Sequence, residues 1–181
     1  WPGWSPDGRS ILYSAALSRL KYEDPPYRLL ASASDGTTSE EPRLLYESEP
    51  GSGLIVPGGP YYSVWSPDSR RVASIVATPT DLQVLVSDTQ RSHTAAIALG
   101  APFYLGWSPD SSELLVHKAE QLYRYDEPFT DGSSALVQGG STAYFAPMYS
   151  PNDGRSAFLM DTENGAVLTI MDQSHEKMAQ I

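Results

Sequence analysis

The chain has 181 residues, with 12 basic and 22 acidic side chains, a net charge of −10 and no cysteine; chains of this length bury roughly 70% of their unfolded surface, enough for one domain with a real core. The negative charge opposes attraction to phosphate backbones and anionic lipid surfaces, so no nucleic-acid partner is expected. The absence of cysteine excludes disulfides, thiolate catalysis and cysteine-ligated metals, and the longest nearly apolar run, Ala95 to Trp107, is 13 residues long and contains Gly and Pro, too short for a membrane span.

WSPDG at 4–8 returns as WSPDS at 65–69 and 107–111, and a looser copy, YSPNDG, occupies 149–154. The head aromatics Trp4, Trp65, Trp107 and Tyr149 stand 61, 42 and 42 residues apart. A period of about 40–45 is the size of one four-stranded propeller blade, and the longer first step is that unit plus an insertion of about 19 residues. In chain order each module reads alike. An aromatic-rich strand leads into the motif, as in PYYSVW at 60–65 and PFYLGW at 102–107. A second strand follows the turn, at Ser10 to Ala16, Arg71 to Ala77, Glu113 to Lys118 and Arg155 to Met160. The third runs over Tyr27 to Ser34, Leu82 to Asp88, Gln121 to Asp126 and Ala166 to Asp172. The last is short: Arg43 to Tyr46, Thr94 to Leu99, Ser134 to Gln138 and Lys177 to Ile181. β-Branched and aromatic runs punctuated by Gly, Pro, Asp and Asn argue for strands, and no segment holds an apolar pattern at helical spacing. The expectation is an all-β chain, a β-propeller of four-stranded antiparallel blades with four blades present: one region with blades about 1–59, 60–101, 102–142 and 143–181, holding a whole number of modules.

Within the motif, Pro presets φ near −65°, Asp caps local backbone N–H groups, and Gly accepts the left-handed conformation of a tight hairpin exit. Asp7, Asp68 and Asp110 therefore read as turn-formers rather than catalysts. In the fourth module the turn gains a residue, so either Asn152 or Asp153 takes the capping role, and Asp153 is placed with the turn residues. The preceding aromatic belongs between adjacent sheets, where its burial contributes roughly 1.5–3 kcal/mol.

WSPDGRSILYSA, WSPDSRRVASIV, WSPDSSELLVHK and YSPNDGRSAFLM resemble the TolB-type propeller repeat over essentially the whole chain. The resemblance implies a partial or half propeller, because relatives close with six to eight blades; it also implies an extracytoplasmic or periplasmic location. The same repeat builds free-standing scaffolds and the propeller portions of serine peptidases. Four blades leave two apolar faces exposed, which points first to a piece of a longer protein, then to self-association of two copies through the end blades, and last to four blades tightened into a small closed ring.

Two long loops, Leu17 to Pro26 and Glu47 to Pro60, share one face and form a candidate recognition surface. On the same face, aromatics before each motif could stack a sugar or peptide: Trp1, Tyr61, Tyr62, Phe103, Tyr104, Tyr144 and Phe145. Packing between blades explains them as well. The histidines His93, His117 and His175 lack metal-ligand spacing, no G-x-S-x-G elbow occurs, and the DTENG run at 161–165 reads as a hairpin loop rather than a calcium loop. No cofactor is expected. The function expected is a non-enzymatic scaffold for a protein or peptide partner; the alternative is the substrate-gating propeller of a larger hydrolase such as a prolyl-oligopeptidase-like serine peptidase.

Overall fold

The computed structural model describes residues 2–16, 26–35, 41–48, 60–78, 80–91, 93–101, 103–130, 134–139 and 147–181. The chain divides into two compact units, Trp1–Leu99 and Gly100–Ile181. Each contains two four-stranded antiparallel sheets whose strands follow in sequence order. Among the described residues no helix is long and apolar enough to cross a membrane.

In the first unit, the first sheet is β1 (Gly3–Trp4), β2 (Ser10–Ala16), β3 (Tyr27–Ala33) and β4 (Arg43–Glu47); the second is β5 (Pro60–Trp65), β6 (Arg71–Ala77), β7 (Leu82–Asp88) and β8 (His93–Gly100). Register sets the faces, because residues directly opposite in antiparallel strands share one side. Gly3, Leu12 and Ala31 fall in one row; Trp4, Ile11 and Ser32 fall in the next, on the other side. The first row faces the second sheet: Leu12, Leu29, Ala31 and Leu45 pack with Val72, and Trp65 and Tyr46 lean on that cluster. Polar contacts seal the seam. Trp65 Nε1 donates to the Gly3 carbonyl at 3.3 Å, Asp7 N to Ser69 Oγ at 3.0 Å, and Thr94 Oγ1 to the Leu45 carbonyl at 2.6 Å. RVASIVA in β6 carries five consecutive buried residues, so this strand is covered on both faces, whereas SILYSAA in β2 buries only Leu12.

In the second unit, the third sheet is β9 (Phe103–Trp107), β10 (Glu113–Lys118), β11 (Gln121–Asp126) and β12 (Ser134–Gly139); the fourth is β13 (Met148–Tyr149), β14 (Ser156–Thr162), β15 (Gly165–Met171) and β16 (Lys177–Gln180). Leu115 and Leu122 of the third sheet pack with Phe158 and Met171 of the fourth, joined by Val137, Tyr149 and Met160. Tyr149 pairs with Ser156 and Phe158 with Thr169, which puts these residues on the face turned to the third sheet; Met148, Ala157 and Ile170 share the opposite face. Gly106 marks where β9 and the strand leading into β13 come closest: a Cβ there would lie 2.3 Å from the Pro147 carbonyl oxygen.

The strands match the expected ranges within a residue or two. The loop insertions at 17–25 and 49–59 lie outside the described residues.

Candidate functional site

The repeated turn is a closed hydrogen-bond relay built on its serine. Ser5 Oγ donates to Asp7 Oδ1 at 2.6 Å and accepts from Ser10 N at 2.9 Å, while Asp7 Oδ1 accepts from Arg9 N at 3.0 Å. Ser66, Asp68, Arg70 and Arg71 repeat the pattern at 2.6, 3.0 and 2.9 Å. Ser108 and Asp110 do so at 2.7 Å, with Ser112 N on Asp110 at 3.1 Å and Glu113 N on Ser108 Oγ at 2.9 Å. Ser5, Ser66 and Ser108 are all buried. In the fourth sheet Asp153 accepts from Arg155 N at 3.3 Å and from Arg155 Nε at 2.8 Å.

These bonds favour the charged carboxylate. The Ser5 hydroxyl and then the Arg9 backbone N–H hold Asp7 below the ordinary carboxylate range. Ser108 and then Ser112 do the same for Asp110. The Arg155 guanidinium, followed by Ser150, brings Asp153 down to about 2. A carboxylate so engaged is a poor proton shuttle near neutral pH. The residue after the Asp carries the left-handed backbone of the exit: Gly8 at φ 71°, Ser69 at 62°, Ser111 at 67° and Gly154 at 65°.

Where two such turns meet in the second unit, they open a cleft of about 310 Å3, lined among others by Asp110, Glu113, Tyr149, Asn152, Asp153 and Gln173. Two of its lining residues, Glu113 and Tyr149, belong to a polar cluster. Tyr149 Oη donates to Glu113 Oε2 at 2.7 Å, and burial, then this bond, raises the phenol above its ordinary range. His175 Nε2 lies 3.4 Å from the same Glu113 oxygen, with the ring only 7% exposed. Arg124 reaches Glu113 Oε1 at 4.0 Å through Nη1 and Asp126 Oδ1 at 2.9 Å through Nε. Neither ring nitrogen of His175 has a hydrogen-bond partner among the described residues, nor does buried Ser156 Oγ. The β10–β11 register sets Glu113 opposite Asp126, and the turn in which His175 N donates to Asp172 O at 3.0 Å sets the imidazole beside them. Among the described residues no three His, Asp or Glu side chains form a metal-binding group.

Of the aromatics singled out in the sequence, Tyr62, Phe103 and Tyr104 do not line this cleft. Tyr62 is 49% exposed and Phe103 is buried at 5%. Tyr104 is half-buried, its ring 6.3 Å from that of His117 and tilted by 54°. Tyr61 is the unpaired residue of a bulge in β5. Trp1, Tyr144 and Phe145 lie outside the described residues. The sequence reading missed the motif serines, Tyr149 as a donor, and the Glu113–Arg124–His175 cluster. Recurrence of a serine at the second place of every motif, Ser5, Ser66, Ser108 and Ser150, was the signal the sequence carried.

No family model and no curated protein matches the sequence. Solved structures do match in shape. TolB from Acinetobacter baumannii aligns with a TM-score of 0.58 at 16% identity, over 96% of this chain and 40% of its own. A putative TolB from Agrobacterium tumefaciens gives 0.59 at 16%, over 99% and 64%. The β-propeller domain of the Trilobed protease from Pyrococcus furiosus gives 0.56 at 13%, over 94% and 53%. The chain thus spans about half the length of these structures. With four meandering four-stranded sheets and these neighbours, the chain has a β-propeller fold of four blades, a partial propeller beside TolB.

Proposed function

We propose that the chain is a non-enzymatic TolB-like scaffold of the WSPDG-repeat class, a single propeller region with blades at about 1–59, 60–101, 102–142 and 143–181, which binds a protein or peptide partner outside the cytoplasm. The observation that carries this reading is the state of the motif carboxylates. Each is held by its own turn, so the repeats read as architecture, and a polar cleft lies between the turns of blades three and four. A cleft rimmed by Asp110, Glu113 and Asp153 suits a basic or hydroxyl-rich segment of a partner by charge complementarity. Trp1, Tyr61, Tyr62, Phe103, Tyr104, Tyr144 and Phe145 remain the proposed second contact surface.

Selection from a displayed peptide library tests the reading. Enrichment of peptides carrying Lys or Arg, weakened by Asp153→Asn, supports it. Failure to enrich any peptide, together with turnover of a peptide or glycosidic substrate by the purified chain, refutes it.

The second reading, a substrate-gating propeller of a larger hydrolase, draws on the protease propeller among the structural neighbours. Activity that appears only when this chain is joined to a hydrolase module, with substrate-size selectivity lost when the chain is removed, would favour it.

A further inference from the structure

In each blade of the second unit an Asp closes the third strand, and the residue three places on has left-handed backbone. Phe129 N donates to the Asp126 carbonyl at 2.9 Å with φ 54°, and His175 N donates to the Asp172 carbonyl at 3.0 Å with φ 60°. In blade three the ring at this place is buried and stands edge-on to Trp107, the aromatic that heads the same blade's motif, at 5.3 Å and 80°. In blade four the same two places hold His175 and Tyr149. Where blade three has an apolar pair, blade four therefore has an imidazole and a phenol, and both reach one acceptor: Glu113 Oε2, at 3.4 Å from His175 Nε2 and 2.7 Å from Tyr149 Oη.

The turn fixes the imidazole there. Asp172 Oδ1 accepts from Ser174 N at 2.8 Å and from Glu176 N at 3.0 Å, and Asp172 N donates to the Glu176 carbonyl at 2.9 Å. The His175 side chain is 7% exposed and neither ring nitrogen has a hydrogen-bond partner among the described residues. The titratable and charged groups around it are Glu113 on β10, Arg124 and Asp126 on β11, Tyr149 on β13, and Asp172, Glu176 and Lys177 in its own turn and the strand that follows. Asp172 is engaged by its turn, Arg124 stands 2.9 Å from Asp126 but 4.0 Å from Glu113, and Glu176 and Lys177 are exposed. Glu113 is thus the carboxylate that answers a charge on His175.

Glu113 also lines the acidic cleft, with Asp110 and Asp153. Resting on the reading of that cleft as a site for a basic segment, we propose that His175 is its proton switch. Neutral His175 leaves the Glu113 charge to a cationic partner; protonated His175 takes that charge up, so the partner is released as pH falls. Histidine is the side chain that changes charge between about pH 5 and pH 8. Asp110 and Asp153 are held below the ordinary carboxylate range by their turns and stay charged through that window, so they supply a constant background against which His175 acts. Neither His93 nor His117 lines the cleft.

The probe is a short oligo-arginine peptide, acetylated and amidated so that its own charge does not change with pH, titrated calorimetrically at fixed ionic strength from about pH 8 to about pH 5.5. Its affinity should fall roughly threefold or more over that interval. His175→Asn cannot titrate and keeps a residue that tolerates left-handed backbone, so it should bind with the pH dependence removed. Glu113→Gln should bind weakly at every pH, again without the dependence, and melting temperatures establish that both variants fold. Tyr149 reports the switch with no ligand present: its ring resonances should follow the His175 titration in the parent and stay still in His175→Asn. An affinity independent of pH, a fall that survives His175→Asn, or Tyr149 resonances that ignore His175 overturns the proposal. A peptide that binds at no pH is a separate result, and it overturns the reading of the cleft together with the switch that serves it.

Discussion

Gly106→Ala isolates the tightest approach in the second unit. The added Cβ would lie 2.3 Å from the Pro147 carbonyl oxygen and 3.2 Å from its carbon, and both obstacles are backbone, so no side chain can swing aside. Relief needs a separation of roughly 1 Å between β9 and the chain entering β13, and a gap of that size forfeits a quarter to a half of the dispersion energy of the atoms across it. The atoms concerned are those of the Leu115, Leu122, Phe158 and Met171 cluster. Overpacking of this kind costs about 1–3 kcal/mol, and at about 2 kcal/mol a chain of this length loses about 4–8 °C in melting temperature. Gly3→Ala is the internal control: it holds the same place in the repeat, but its Cβ meets nothing within 4 Å, and the change should stay within about 0.5 kcal/mol. Both substitutions stiffen the unfolded chain alike, so the difference between them measures the collision alone. Calorimetry of the two variants beside the parent is the assay. Equal melting temperatures, or a rise for Gly106→Ala, would refute the reasoning.

Ser66→Ala removes the fully buried hydroxyl that serves Asp68 and Arg71 N and should cost about 0.5–1.5 kcal/mol in a urea titration through the lost hydrogen bonds, since exposed Asp68 keeps its access to water. Acid denaturation should follow the turns. Asp7, Asp110 and Asp153 are depressed in the folded state, so the stability they contribute is present above the unfolded carboxyl value near 3.9 and is lost as pH falls through the lower folded values. Asp153→Asn should therefore flatten the stability curve between about pH 4 and pH 2, read from denaturant midpoints; an unchanged slope would count against the relay. At the alkaline end Tyr149 is raised, so the stability of its neutral form is present below the ordinary phenol value near 10 and is lost progressively above it. Tyr149→Phe should cost about 0.5–1.5 kcal/mol at neutral pH through the lost bond to Glu113 and should remove part of that alkaline decline.

Strand order was legible because the second and third strands of each module carry their own signal. LQVLVSD and RVASIVA are buried runs that the chain pattern shows directly. β1 and β13, by contrast, are only two residues each, and in an up-and-down sheet such strands are defined by pairing partners rather than by composition. The motif's Asp was easy to notice because turns favour it, whereas the serine that organises the relay looks like any loop serine until its burial is known. The Glu113–Arg124–Tyr149–His175 cluster was out of reach for another reason. Its members come from β10, β11, β13 and the β15–β16 turn, and the contact between them depends on strand register and on which face each side chain takes.

Carboxylates that recur four times are poor candidates for chemistry, whereas Glu113, which has no acidic counterpart in the other modules, is the residue to which the proposed recognition role points. At the place of Glu113, whose carbonyl accepts from the N–H of its motif serine, the other modules carry Ser10, Arg71 and Arg155. A feature required by the blade must appear in every blade, since each solves the same hairpin problem. A feature present in one blade is free of that requirement. Glu113 receives the Tyr149 hydroxyl, the His175 edge and the Arg124 guanidinium at one side of an open cleft, and half-burial of a charge with partners that do not all align costs stability rather than adding to it. Under the proposed binding role, the specificity of this propeller would lie in such departures from its repeat, while the relay hydrogen bonds shared by the turns hold the blades.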